Sequence, residues 1–338
     1  MIPDALLPTV WAALLAFAVL AYVVLDGFDL GVGILFAVER HYDQRSVLVN
    51  SVAPVWDGNE TWLVLGGGGL LAVFPMAYGL ILPALYPTII AMLLALVFRG
   101  VAFEFRFRAR TVFGRFCWDA AFFIGSSVAA LAQGLTLGGL LQGVRHNGPR
   151  YAGGWWDWLS PFTVLCGIAV VAGYALLGAC WLIWRTDGDM QDRARGYARV
   201  LGFAVLVLTA IVSLWSPFLH PQFWVRWFGW PSILLTSPVP LLLAALAFGF
   251  RRGLERSHHL TPFLCAIAWF ILCLGGLGIS FWPLMVPPDV TIWDAAAPAD
   301  SQRFLLAGAV FLVPAILIYT IYSYWVFRGK IGADTHYH

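Results

Sequence analysis

From residue 8 to residue 327 the chain is a series of apolar stretches, each about long enough for one α-helix to cross a bilayer. Nine qualify: 8–38, 50–74, 78–104, 117–141, 160–184, 197–216, 231–251, 258–286 and 302–327. Their solvent must be lipid, because 61% of the residues are hydrophobic and only 11% charged, against about 25% charged in soluble domains. The fold class is therefore all-α: a polytopic membrane protein of about nine transmembrane helices, with residues 1–338 as a single membrane domain. The longest linkers, around 142–159 and 287–301, are short and rich in Gly, Pro, Trp or Asp. Many of the 17 Trp flank the apolar runs, as interfacial anchors do. No basic residue precedes the first run and no small-residue cleavage site follows it, so it reads as a retained helix. That helix is long enough to pass beyond the membrane or to bend at Gly27, Gly31 and Gly33. Gly66 to Gly69 would let a neighbouring helix approach closely. A nucleotide-binding glycine loop would instead need a strand–helix context, which the sequence lacks.

Basic residues fix the expected orientation. Arg40, Arg45, Arg106, Arg108, Arg110, Arg115, Arg185, Arg193, Arg195, Arg199, Arg251, Arg252, Arg256, Arg328 and Lys330 fall on one side, 15 in all. Only Arg145, Arg150, Arg226 and Arg303 fall on the other, and Arg99 lies within a span. The N-terminus is expected outside and the C-terminus in the cytoplasm, with an odd number of spans. A net charge of +2 gives no basis for a nucleic-acid partner.

Ionisable groups inside a span cost about 2.5–3.5 kcal/mol each by insertion scales, so each calls for a reason. Asp26 and Asp29, in LDGFDLGVG, are three apart on one helix face. Asp57 and Glu60, in NSVAPVWDGNETW, repeat that spacing with Asn59 between them. At about 1.5 Å per residue from the connecting loop, Asp29 lies about 13 Å deep and Asp57 about 10 Å, a similar level. Arg99 and Glu104, in FRGVAFEFR, approach the same face from the third span, and Asp119 opens the fourth. In one reading Arg99 neutralises one carboxylate and the others are caps or interfacial charges. In the favoured reading, acids in excess of cations form a hydrated path for protons or a cation site, since carboxyls in low dielectric can exchange protons near neutral pH.

Several chemistries lack their residues. His41, His146, His220, His258, His259, His336 and His338 fall in loops, at helix ends or in the tail, so no catalytic haem ligand is expected in mid-membrane. A disordered tail accounts for His336 and His338 better than metal binding. Met76 and Met92 read as core packing. Cys117, Cys166, Cys180, Cys265 and Cys273 show no CxxC spacing and read as packing residues, so no metal site is expected. No nucleophile–base set can be assembled.

The strings DGFDLGVG, NSVAPVWDGNETW, FRGVAFEFR and WDAAFFIGS, with LLQG before the 142–159 linker, resemble subunit II of cytochrome bd-type quinol oxidases. SPF at 160–162, WDA at 293–295, SQ at 301–302 and the closing YTIYSYWVFRGKI extend the match over nearly the whole chain. The resemblance implies two four-helix bundles, 8–141 and 160–286, plus a peripheral ninth helix at 302–327. It implies a haem-free subunit of the bacterial cytoplasmic (inner) membrane, paired with a similarly folded subunit I. That partner would carry two b-type haems and haem d, or a further b haem in cyanide-insensitive members. The complex would oxidise quinol near the outer face and reduce oxygen to water with cytoplasmic protons. Small single-helix accessory subunits, phospholipid and a structural quinone in this subunit also belong to that picture, and no residue here locates the quinone. By the same resemblance Asp26, Asp29 and Asp57 match acids on the cytoplasmic side of the subunit interface. Trp56, Asn59, Glu60 and Arg99 would shape that site, with a Gln replacing Glu60 in some members. The alternative from composition alone is a proton- or cation-coupled secondary transporter using the same acids.

Overall fold

The computed structural model describes residues 3–39 and 42–331. Twelve α-helices carry these residues, beginning with α1 (Leu7–Leu35), α2 (Tyr42–Val52), α3 (Trp56–Val73) and α4 (Pro75–Arg108). They continue as α5 (Val112–Gln142), α6 (Pro161–Arg185), α7 (Gly188–Trp215), α8 (Pro221–Phe228) and α9 (Ile233–Thr236). The last are α10 (Pro238–Glu255), α11 (Thr261–Phe281) and α12 (Ala299–Val326). Two short antiparallel ribbons, His146–Asn147 with Arg150–Tyr151 and Leu284–Val286 with Val290–Thr291, lie at one end.

Eight segments among the described residues are long and apolar enough to cross a membrane, α9 and α10 counting as one. The remaining expected span, 50–74, is not one helix. It breaks over residues 53–55, because Pro54 has no N–H to give and disfavours helical backbone at the residue before it. Of that stretch α3, which is not one of the eight, runs to the opposite end of the molecule, where the Ala297 N–H donates to the Val73 carbonyl at 2.7 Å. Likewise α11 stops at Phe281 instead of reaching 286, two residues before Pro283. By contrast α7 starts at Gly188 and not near 197, so its polar first turns are part of the helix. At the start of α6, Ser160 accepts from Thr163 N–H, and Thr163 Oγ1 accepts from Ser160 N–H in return.

Basic residues gather at one end of the molecule. That end holds the α4–α5 turn, the α6–α7 and α10–α11 turns, and residues 327–331, where Lys330 meets Asp187 at 2.9 Å. At the other end His146 meets Asp289 at 2.8 Å, Trp293 bonds the Ala5 carbonyl, and Arg303 pairs with Asp4. Arg40, His41, His336 and His338 lie outside the described residues.

The first helix organises the interior. It packs against α3, α5 and α6, and the helices α6, α7, α10 and α11 contact one another beside it. One continuous apolar core, including Phe28, Leu30, Trp181 and Phe263, runs through both groups. α12 lies outside, touching α1 and α3. At its glycines α1 keeps an unbroken helical assignment, and it continues into a 3-10 turn at Phe36–Val38. They serve close approach instead: a Cβ on Gly31 would strike the Tyr174 carbonyl, and one on Gly33 would strike Ser126 Oγ. Of the Gly66–Gly69 run, Gly69 faces Leu15, whereas Gly67 and Gly68 face open space.

Candidate functional site

The buried charges of α1, α3 and α4 meet at Arg99. Position Gly125 of α5 makes this possible, because a Cβ there would come within 2.7 Å of the Ala95 carbonyl and 3.2 Å of Arg99 Cβ. Arg99 is therefore pressed inward and is fully buried. Its Nη1 donates to Asp26 Oδ1 at 3.1 Å and to Glu60 Oε1 at 2.8 Å. Its Nη2 lies 3.9 Å from Asp29 Oδ2. Asp29 has a shorter contact, 2.6 Å from the Nδ2 of Asn59, which also donates to the Leu25 carbonyl at 3.2 Å. Asn59 Oδ1 in turn accepts from the Tyr324 hydroxyl at 2.9 Å.

The structure brings together Asp26, Asp29, Asn59, Glu60 and Arg99. Trp56 flanks them, stacked on Phe103 with centroids 4.9 Å apart and accommodated by Gly100. Asp57 is not in the cluster but exposed on the outer face of α3. At 100° per residue it stands roughly 140–160° round the helix from Asn59 and Trp62, the residues α3 buries. Glu104 is also exposed, paired with Arg108 one turn on at 3.4 Å. Asp119 belongs to a separate group, bound by Arg106 Nε at 2.6 Å and Arg45 Nη1 at 3.0 Å.

Four polar side chains at the site escaped the sequence reading. Tyr22 stands one turn before Asp26 on the same face of α1. Gln133 donates to its hydroxyl at 2.8 Å and accepts from the Tyr174 hydroxyl at 2.6 Å. Gln133, a lone amide in an apolar run, was a visible signal. Tyr174 and Tyr324 were not, since Tyr is common at membrane interfaces.

Three carboxyls face one guanidinium here. Asp26 Oδ2, Asp29 Oδ1 and the Nε and Nη2 of Arg99 are buried without a hydrogen-bond partner. Burying an uncompensated charge costs several kcal/mol, and here three carboxyls share a single buried guanidinium. Among the described residues, no group of three or more His, Cys, Asp or Glu is placed to hold a metal ion.

Fold and site together define a multi-pass helical membrane protein with an acid-rich, arginine-centred cluster within its membrane-spanning helices. A family model, cytochrome bd terminal oxidase subunit II, matches residues 7–327. The cytochrome bd-I ubiquinol oxidase subunit 2 of Escherichia coli K12 is 32% identical, the match covering 99% of this chain and 97% of the relative. The cytochrome bd ubiquinol oxidase subunit 2 of Bacillus subtilis is 29% identical over 95% of this chain and 96% of its own length. In fold, the chain is similar to a chain in the structure of bd oxidase from Geobacillus thermodenitrificans, with a TM-score of 0.74 at 17% identity, covering 95% and 97% of the two chains. The chain belongs to the cytochrome bd terminal oxidase subunit II family. It is thus a subunit of a quinol-oxidising oxidoreductase complex, and the secondary-transporter alternative is set aside.

Proposed function

We propose that this subunit takes up protons from the cytoplasm, through Asp57, Glu60, Asp29 and Asp26, for oxygen reduction at a haem in subunit I. The observation that carries the proposal is the buried excess of carboxyls over guanidinium, with one oxygen each of Asp26 and Asp29 left without a partner. Glu60 links this interior to the surface, its side chain 24% exposed while those of Asp26 and Asp29 are fully buried. Asp57, one turn earlier on α3, is the outermost acid.

An exposed carboxylate on a membrane helix is costly. We therefore assign the face of α3 around Asp57, Val64, Gly67, Gly68 and Leu71, all exposed here, to contact with subunit I. The two b-type haems, and haem d or a further b haem, would belong to that partner. Quinol, the substrate class in the names of the relatives, would be oxidised there and release its protons outside. The basic end of this chain would face the cytoplasm of a bacterium, with the N-terminus outside. The two half-reactions would then separate charge without a proton passing through the whole membrane.

The test is quinol-driven oxygen consumption by assembled complexes carrying Asp29→Asn or Asp57→Asn. Each should fall at least about tenfold, or about 1.4 kcal/mol on the barrier, while the visible haem spectrum and co-purification with subunit I persist. Full turnover by both variants would falsify the assignment.

A further inference from the structure

We propose that Tyr324, on the peripheral helix α12, is the positioning residue for Asp29: its hydroxyl holds the Asn59 amide in the orientation that donates to the carboxylate. The inference rests on the proton-uptake reading and deepens it.

An asparagine amide can turn over, presenting either oxygen or nitrogen to a given neighbour. Here Asn59 is fully buried, and its two polar atoms face different chemistries. Nδ2 meets two acceptors, Asp29 Oδ2 at 2.6 Å and the Leu25 carbonyl at 3.2 Å. Oδ1 meets one donor, the Tyr324 hydroxyl at 2.9 Å. Reversal would set oxygen against the Leu25 carbonyl and the Asp29 carboxylate together. The tyrosine completes that orientation, because its O–H is the donor to a buried Oδ1 that would otherwise have no partner and would gain by moving.

Asp29 depends on this amide more than the other acids do. Nη1 of Arg99 serves Asp26 and Glu60 at 3.1 and 2.8 Å, while the nearest guanidinium contact of Asp29 is 3.9 Å. The charged or titratable groups around Asp29 are Asp26 on its own helix, Glu60 from α3, Arg99 from α4 and Tyr324 from α12. From α6, Tyr174 faces Asp26 and Arg185 faces Tyr324. None of these but Tyr324 reaches the Asn59 oxygen. The Tyr324 ring is seated edge-on against Phe28 and Trp181, at 6.3 and 6.2 Å. The helix around it is mostly exposed, including Ile321, Tyr322 and Trp325. One hydroxyl thus joins a helix at the rim of the bundle to the acids at its centre.

The decisive variant is Tyr324→Phe in the complete complex, which keeps the ring and deletes the donor. Quinol-driven oxygen consumption is measured across pH, beside haem content and co-purification of subunit I. We expect normal assembly and a pH profile displaced upward by about one unit, because the charged carboxylate loses part of its hydrogen-bond support. An unchanged profile overturns the proposal. So does failure of the Tyr324→Phe complex to assemble, which would assign the hydroxyl to structure alone. A double-mutant cycle adds a second reading: in an Asn59→Leu background, Tyr324→Phe should shift the profile no further, and an additive shift sinks the idea. Asp29→Asn separates the two levels. If it abolishes turnover while Tyr324→Phe keeps the parental profile, only the Tyr324 inference fails. If Asp29→Asn retains full turnover, the proton-uptake reading falls and this inference with it.

Discussion

Two charged clusters, each containing an arginine of α4, differ in their ratio of acids to bases. Around Arg99, three carboxyls share one guanidinium; around Asp119, one carboxylate is shared by Arg106 and Arg45. The Asp119 group lies nearer the arginine-rich end of the molecule. Both its carboxylate oxygens are engaged, at 2.6 and 3.0 Å, and Arg106 and Arg45 also lie over the Phe36 ring. That is a clamp tying α2, α4 and α5 together. The Arg99 group leaves carboxylate oxygens open in the interior. On the proposed reading, the saturated Asp119 group holds the fold in place and the unsaturated Arg99 group takes the mobile charge. Position along α4 separates the roles, since Arg99 and Arg106 are two turns apart on the same face.

The largest effect should come from Arg99→Leu. It strands three carboxyls without their cation, and breaking a buried pair costs about 3–5 kcal/mol. We expect almost no assembled, haem-bearing complex in detergent extracts. Adding Asp26→Asn and Glu60→Gln should recover part of the assembly but not the turnover, because only the charge imbalance has been removed. Recovery of turnover would mean that these acids do no proton work.

Asp119→Asn probes the clamp and should be milder. It removes the charge that Arg106 and Arg45 share, at a cost of about 2–3 kcal/mol, because the site reaches solvent through Arg45. Thermal unfolding of the complex should start at lower temperature, while oxygen consumption per haem stays at the parental level. A loss of turnover matching that of Asp29→Asn would erase the distinction between the clusters.

Much of this was legible in the residues, and the misses have physical causes. Span length and arginine bias gave the membrane fold, and Asp26, Asp29, Asn59, Glu60 and Arg99 stood out as polar groups in apolar runs. Asp57 and Glu104 were grouped with them by depth and spacing, but depth does not fix direction. Asn59 and Trp62 decide which face α3 buries, and that leaves Asp57 outside. Pro54 was visible, yet the apolar run through it outweighed its effect as a helix breaker. The α1 glycines were read as one place where the long first helix could bend, because the sequence does not show which helix will press against them. Gly31 meets Gly178, which lies 147 residues on, and only the folded chain supplies that partner. Tyr324 was invisible for the same reason, its contact with Asn59 spanning 265 residues.

The smallest effect tests the boundary of the site. Glu104 lies on α4 between Arg99 and Arg106, five residues beyond one and two before the other. It belongs to neither cluster, because those positions turn its side chain outward to Arg108. Both partners are largely exposed, with side-chain accessibilities of 57% and 72%. Exposed pairs one helical turn apart contribute about 0.3–0.5 kcal/mol. Glu104→Gln should therefore leave the melting temperature, the haem content and the pH profile of oxygen consumption within experimental error. A clear drop in turnover with normal assembly would extend the acid path along α4 past Arg99, and the separation between conducting and clamping charges would have to be redrawn.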